Sequence, residues 1–295
     1  MKRYRIAVVS LILLFAGFVK AEPVRVKHVE GSVRGFTVMS TLDGKRLADG
    51  DASQVVKGNR VTQSIVFRFK DGSVYEEKTT FTQEPVFKVI NHHFVQKGPT
   101  FPQDLDMTID ANKGNVTVKY SEKGETKTIS EDMEIPADLA NGMVSTLLKN
   151  SPADTPQTWS YIAATPKPML VHLKTSKAGV DKFFVGGQHL EATHYVVKVD
   201  LGGLIGFFVK LIGKQPADTH LWFVGGDAPG FVKAEQQLFR DGPIWRIEMT
   251  SPHWPKGAEV NVEPKSNAEP KSSAAEPKAK AKAKAAVSAQ GNVAR

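Results

Sequence analysis

Asn59–Gln83, NRVTQSIVFRFKDGSVYEEKTTFTQ, is the stretch that decides the fold. Val61, Ile65, Phe67 and Phe69 lie on one side of the chain, and Arg60, Thr62, Ser64, Arg68 and Lys70 on the other. That period of two belongs to an antiparallel strand with one buried face and one wet face. Asp71-Gly72 follows at once. An Asp-Gly pair between alternating runs reverses the chain as a hairpin, because glycine takes the positive φ that a tight turn of matching twist needs. Ser73–Gln83, rich in threonine and aromatics, is the returning strand.

The same signal spreads outward in both directions. Val24–His28 and Gly35–Thr41 alternate before the hairpin, with an Asp-Gly turn in Leu42–Lys45. After it come Pro85–Lys97, Asp104–Asp110, Asn115–Ser121 and Glu125–Ser130, separated by turns at Lys97-Gly98-Pro99, Asn112-Lys113-Gly114 and Glu122-Lys123-Gly124. Further strands are expected at Thr158–Ala164, Met169–Thr175, Asp181–Val185, Ala192–Leu201, Thr219–Val224, Phe231–Phe239 and Ile244–Thr250. One helix is expected, Pro136–Lys149, with proline at its first position and Leu139, Met143, Leu147 and Leu148 on its apolar face. Many strands, one helix and no βαβ rhythm predict a mainly β protein, all-β or α+β. Its core would be a large curved antiparallel sheet or half-barrel with one packed amphipathic helix, since so long a sheet coils or closes.

The ends differ in composition from the middle. Lys2, Arg3 and Arg5 precede the uncharged run Ile6–Val19, and Val19-Lys20-Ala21 supplies small residues where a signal peptidase reads. Residues 1–21 are therefore expected to be a signal peptide, because the apolar run is shorter than the ~20 residues of a membrane span. Residues 22–255 are expected to form the globular domain. From 256 to 295 the chain repeats Glu-Pro-Lys and then alternates lysine with alanine, a composition with too few apolar groups to order itself. The chain has no cysteine, so an exported domain of this size must rely on its core, and thiol chemistry and a lipidated cysteine are excluded. The net charge of +8 comes in equal parts from the leader and the tail, and the domain between balances to zero. No basic stripe for nucleic acid is expected on it. The tail's excess lysine suits an anionic surface.

Three segments resemble a set of exported bacterial proteins of uncharacterised activity. They are Phe69–Ser73 with Glu76-Glu77, Gln96–Pro99 with Phe101-Pro102, and Pro136–Gly142. Gly213–Pro216 through Trp222, and Gly242–Ile247, share the likeness, which covers nearly the whole domain and stops at the tail. The layout is also similar to envelope proteins whose curved antiparallel sheet shelters lipid or acyl chains. These resemblances imply export to the periplasm or the outside of a bacterium, and they bring no catalytic residues.

His92 and His93 are adjacent on a strand and so face opposite sides, as do Glu76 and Glu77. His189, Glu191 and His194 offer only two groups on one face, fewer than a zinc site wants. No metal site and no cofactor is expected. Glu77, Asp104 and His92 are the acid–base candidates of a hydrolase reading, which requires two carboxyls or a histidine to face one cleft. Gly-x-Ser-x-Gly and phosphate-loop patterns are absent. Leu201–Gly213, LGGLIGFFVKLIG, is the unusual piece: four glycines punctuate an almost wholly apolar run. Leu204, Ile205, Phe207, Phe208 and Leu211 are expected either to form a ligand or membrane contact surface or to pack as a kinked core strand.

Three functions remain: a non-enzymatic envelope protein binding a lipid, an acyl chain or a protein partner; a hydrolase; and a tether acting through its basic tail. The exported protein should begin at Glu22. Intact-mass analysis checks this, and a mass retaining residues 1–21 refutes it.

Overall fold

The computed structural model describes residues 22–185, 188–202, 215–226 and 229–250. The expected signal peptide, the tail, and Leu204, Ile205, Phe207, Phe208 and Leu211 lie outside these residues.

Fourteen strands form one curved antiparallel sheet that does not close, with one helix. They are β1 (Val33–Thr41), β2 (Arg46–Lys57), β3 (Arg60–Phe69), β4 (Val74–Gln83), β5 (Phe87–Lys97), β6 (Leu105–Asp110), β7 (Asn115–Glu122) and β8 (Glu125–Asp132). After the helix α1 (Val144–Asn150) come β9 (Gln157–Ala163), β10 (Met169–Val185), β11 (Gln188–Asp200), β12 (Thr219–Val224), β13 (Gly230–Gln237) and β14 (Ile244–Met249). The spatial order is β8-β7-β6-β5-β4-β3-β2-β1-β14-β13-β12-β11-β10-β9. The chain thus begins in the middle of the sheet, winds out to one edge, crosses through residues 133–156, and winds back from the other edge until β14 pairs with β1. The one break in the meander lies between β8 and β9.

The hairpin read from the sequence forms as expected: Phe67 pairs with Tyr75 and Arg68 with Val74. The alternation then carries from strand to strand by register. Met39, Ala48, Phe69, Phe81, Val89, Met107, Val118, Trp159, Tyr195, Leu221 and Ile247 all lie in one core. Breaks in register at Met39/Ser40, Thr80/Phe81, Lys177/Gly179 and Trp222/Phe223 are bulges, which sharpen local twist and help a long sheet curl.

Four expectations are corrected. Strand β2 lies where the sequence analysis places no strand. In the fold Gly50 pairs with both Thr37 and Phe67, and a Cβ there would collide with the Thr37 hydroxyl and the Phe67 ring, so glycine is needed for packing. Met169–Thr175 and Asp181–Val185 are one strand, carried through a bulge. Val24–His28 makes only a single bridge, Arg25 to Val86. The helix begins at Val144 rather than Pro136. Gly142 has φ +66°, and the side chains before it bond to a strand instead of continuing a helix. Leu139, Met143, Leu147 and Leu148 are nonetheless all buried, so the apolar pattern found the core but not the backbone.

Residues 138–141 cover the β9 edge. Leu139 forms a parallel bridge with Ser160, and the Ala140 N–H donates to the Ser160 carbonyl at 2.8 Å. The Ser160 N–H donates to Asp138 Oδ2 at 2.9 Å. Asn141 works in both senses: Oδ1 accepts from the Ile162 N–H at 2.8 Å and Nδ2 donates to the Ile162 carbonyl at 2.9 Å. The helix end is tied down in turn, since Asn150 Oδ1 accepts from the N–H groups of Lys27 and His28 at 2.9 and 2.7 Å, and Lys149 pairs with Glu30 at 2.7 Å. The opposite edge, β8, carries Glu125, Lys127, Glu131 and Asp132, charges of the kind that discourage a foreign strand from adding on.

Replacing Asn141 with alanine leaves two buried backbone groups of Ile162 without partners. An unmet buried group costs ~1–3 kcal/mol, so Asn141→Ala should lower unfolding free energy by about 2–4 kcal/mol. Urea denaturation measures it, and a change below about 0.5 kcal/mol contradicts this account of the edge.

Candidate functional site

The concave face of the sheet carries the candidate site. On β4 the side chains of Tyr75, Glu77, Thr79, Phe81 and Gln83 point to it, because they share parity with the buried Phe67 and Phe81. On β5 the same face takes Phe87, Val89, His92, Phe94 and Gln96. Glu77 stands opposite Phe94 and Thr79 opposite His92, so Glu77 and His92 are diagonal neighbours on one wall. Tyr161 on β9 belongs to this face too, two residues from buried Trp159. Although β9 lies at the far edge in hydrogen-bonding order, the Glu77 carboxyl acts electrostatically on the Tyr161 phenol.

Glu77 accepts a hydrogen bond from the Tyr75 hydroxyl at 2.9 Å. Burial pushes its pKa up, and the Tyr75 bond opposes this only in part. Burial also raises the Tyr161 phenol, with the Glu77 charge adding to the effect. Both residues are half-buried.

His92 is different. It is 1% exposed, and its Nδ1 lies 2.8 Å from the Thr79 hydroxyl. Its Nε2 is buried without a partner. A Cβ on Gly142 would strike Thr79 and crowd His92, so the crossing segment lies directly on this pair. Burial, with a smaller contribution from His93, drives the imidazole pKa down to about 3. His92 is thus a neutral core histidine. His93 is on the outer face as expected, 3.0 Å from Asp106. Asp104 is elsewhere: its Oδ1 accepts the Gly98 N–H at 2.9 Å and fixes the loop between β5 and β6. Of the three acid–base candidates, the fold therefore brings Glu77 and His92 onto one face and leaves Asp104 in a turn.

One end of the interior is filled by aromatics. Phe101 and Phe239, from two loops, meet Phe69 and Trp245 edge-on or tilted, with ring centroids 5.5–5.9 Å apart. Strands β11 and β12 reach the same rim, where the Ala217 N–H donates to Gln237 Oε1 at 2.9 Å.

Sequence reasoning missed a cluster on the convex face. His194 stacks on Trp222 with centroids 4.2 Å apart, and Lys233 Nζ lies 3.8 Å from the ring of the same tryptophan. The Trp222 indole N–H donates to Asp181 at 2.6 Å, and His194 Nε2 lies 2.9 Å from His220 Nδ1. Glu235 pairs with Lys233 and Arg246. The signal was the outward parity of these residues on five adjacent strands, legible only once register is known. Partial burial, then His220, lowers the His194 pKa. Trp222 has both faces covered and is 7% exposed, so it is no open stacking platform. Among the described residues no set of three or more His, Asp or Glu could hold a metal, and no helix is long and apolar enough to cross a membrane.

No protein-family model matches the chain, and no curated protein matches it. Two solved structures are similar. One is a β-barrel-like protein of domain of unknown function DUF1849 from Brucella abortus. It shares 11% identity and a TM-score of 0.43, over 77% of this chain and 97% of that chain. The other is the hypothetical lipoprotein YmcC from Escherichia coli K12, at 8% identity and a TM-score of 0.29, over 77% of this chain and 86% of that one.

Glu77 and His92 make opposite contributions to acid stability. The folded pKa of His92 lies below its unfolded value, so stability present above about pH 6.5 drains as pH falls towards 3. The folded pKa of Glu77 lies above its unfolded value, so its contribution is full at low pH and is lost as pH rises through the raised value. Between pH 6 and 4 the stability difference between wild type and His92→Gln should shift by about 1.4 kcal/mol per pH unit in favour of the variant. Denaturant titrations at pH 4, 5 and 6 check this, and parallel curves refute a buried neutral His92.

Proposed function

We propose that this chain is an exported, non-enzymatic binding protein of the bacterial envelope, taking an apolar ligand such as a lipid or acyl chain on the concave face of its sheet. The observation that carries this reading is the curved, unclosed sheet, whose concave wall sets half-buried Glu77 and Tyr161 among apolar core side chains. Half-buried Ile65, opposite Glu77, and Val199 supply apolar wall on the same face. Export rests on the leader. The apolar composition of 201–213 suits it to contact such a ligand. The tail, with its excess of lysine, adds a salt-sensitive contact with anionic envelope surface.

A hydrolase reading gains nothing from the geometry. His92 is bound to Thr79 beneath the crossing segment, and Asp104 is committed to a loop.

Native mass spectrometry of protein purified from its own envelope should reveal a co-purifying lipid-sized mass. Ile65→Trp, which adds bulk to the interior wall, should weaken binding of the apolar fluorophore N-phenyl-1-naphthylamine by roughly tenfold, about 1.4 kcal/mol. A bare mass together with unchanged fluorophore affinity refutes the interior as the site.

A further inference from the structure

On the convex face His194 and His220 bring two ring nitrogens together. Strand pairing sets His194 opposite Trp222 and Val196 opposite His220, so the two histidines are diagonal neighbours on β11 and β12. His194 Nε2 lies 2.9 Å from His220 Nδ1. Trp222 is the floor beneath them: the His194 ring stacks on it with 11° between the planes, and the His220 ring follows at 27°. Behind His194, Asp181 Oδ2 stands 3.6 Å from Nδ1. The same oxygen accepts the Trp222 indole N–H at 2.6 Å, which anchors the carboxylate. Glu235 on β13 is the cross-strand neighbour of His220. Water reaches the group, since the His194 side chain is 19% exposed and that of Asp181 59%.

We propose that His194 and His220 bind a divalent transition-metal ion of the kind that prefers imidazole, copper(II) ahead of nickel(II) and zinc(II), with water completing its shell. The site lies on the face opposite the one proposed for the apolar ligand. Two metal–imidazole bonds of ~2.0–2.1 Å at a right angle place their nitrogens ~2.9 Å apart, the spacing that this pair already has. Without metal the two rings share one proton along that line. The ion takes the place of the proton, and a tilt of the rings turns both lone pairs onto it. When the His194 proton sits on Nδ1, towards Asp181, Nε2 is left free to ligate. A carboxylate behind a ligating imidazole holds that tautomer and strengthens the ligand. Having two protein ligands rather than three or four favours copper(II), which accepts nitrogen and oxygen donors in a tetragonal shell and binds such donors most tightly of its series. Asp181 and Glu235 favour an added cation. Lys233 and Arg246 oppose it, and both are paired to Glu235.

The test titrates copper(II) sulfate into the full mature chain near neutral pH, with glycine present as a competing chelator that strips copper from lone histidines. One ion should bind per chain and quench part of the tryptophan fluorescence, because His194 lies against Trp222. Electron paramagnetic resonance at substoichiometric copper should show two imidazole nitrogens on the ion. Nickel(II) and zinc(II) should bind more weakly, in the order of their affinity for nitrogen donors. His194→Gln and His220→Gln should each weaken copper binding by at least about 100-fold, since a second ligand held on the same scaffold acts at high effective concentration. Asp181→Asn, which keeps an oxygen for the Trp222 indole, should weaken it by about tenfold. His93→Gln, on a distant strand, should leave it unchanged. No binding against glycine, one nitrogen on the ion, or binding that survives both His194→Gln and His220→Gln means adventitious copper only and overturns the proposal. The resonance spectrum of the wild type decides the matter even if a variant does not fold.

Discussion

Asp138 and Asn141 hold the free edge of β9, and the rest of the architecture depends on that closure. A meander of strands satisfies its own backbone everywhere except at its two outermost strands. Here the chain begins mid-sheet and returns to pair β14 with β1, so the remaining break is the gap between β8 and β9. The crossing segment meets the β9 side with a short parallel bridge and with two side chains that imitate a neighbouring strand. The same segment drops Leu139, Met143, Leu147 and Leu148 into the core and sets Gly142 against Thr79 and His92. Edge satisfaction and core filling are therefore one event, and the helix is short because the residues before it serve the sheet.

Burial on the concave face acts on two groups in opposite senses. It strips His92 of its charge at any ordinary pH and favours the protonated form of Glu77. One cause, loss of water, disfavours whichever form is charged. The same wall thus carries a neutral histidine and an acid whose ionised form burial disfavours. On the convex face Glu235 instead pairs with Lys233 and Arg246, and Asp181 accepts the Trp222 indole N–H.

Much of the fold was legible in the sequence. Strict alternation over Asn59–Lys70, the Asp-Gly turn and the regular turn spacing specified strands, hairpins and the buried face, because the strand period of two is a local property of the backbone. The opposite facing of His92 and His93, and of Glu76 and Glu77, followed from the same geometry and holds in the structure. Strand β2 escaped because Gly50 is explained only by the Phe67 ring of the next strand, and the helix start escaped because Asp138 and Asn141 find their partners on β9. The influence of Glu77 on Tyr161, and the meeting of His194 with Trp222 and Lys233, join residues from strands separated by long stretches of chain. Sequence by itself determined which residues face inward, since that depends on neighbours along the chain. Only the tertiary structure decided which inward residues face each other, since that depends on register, bulges and the curl of the whole sheet.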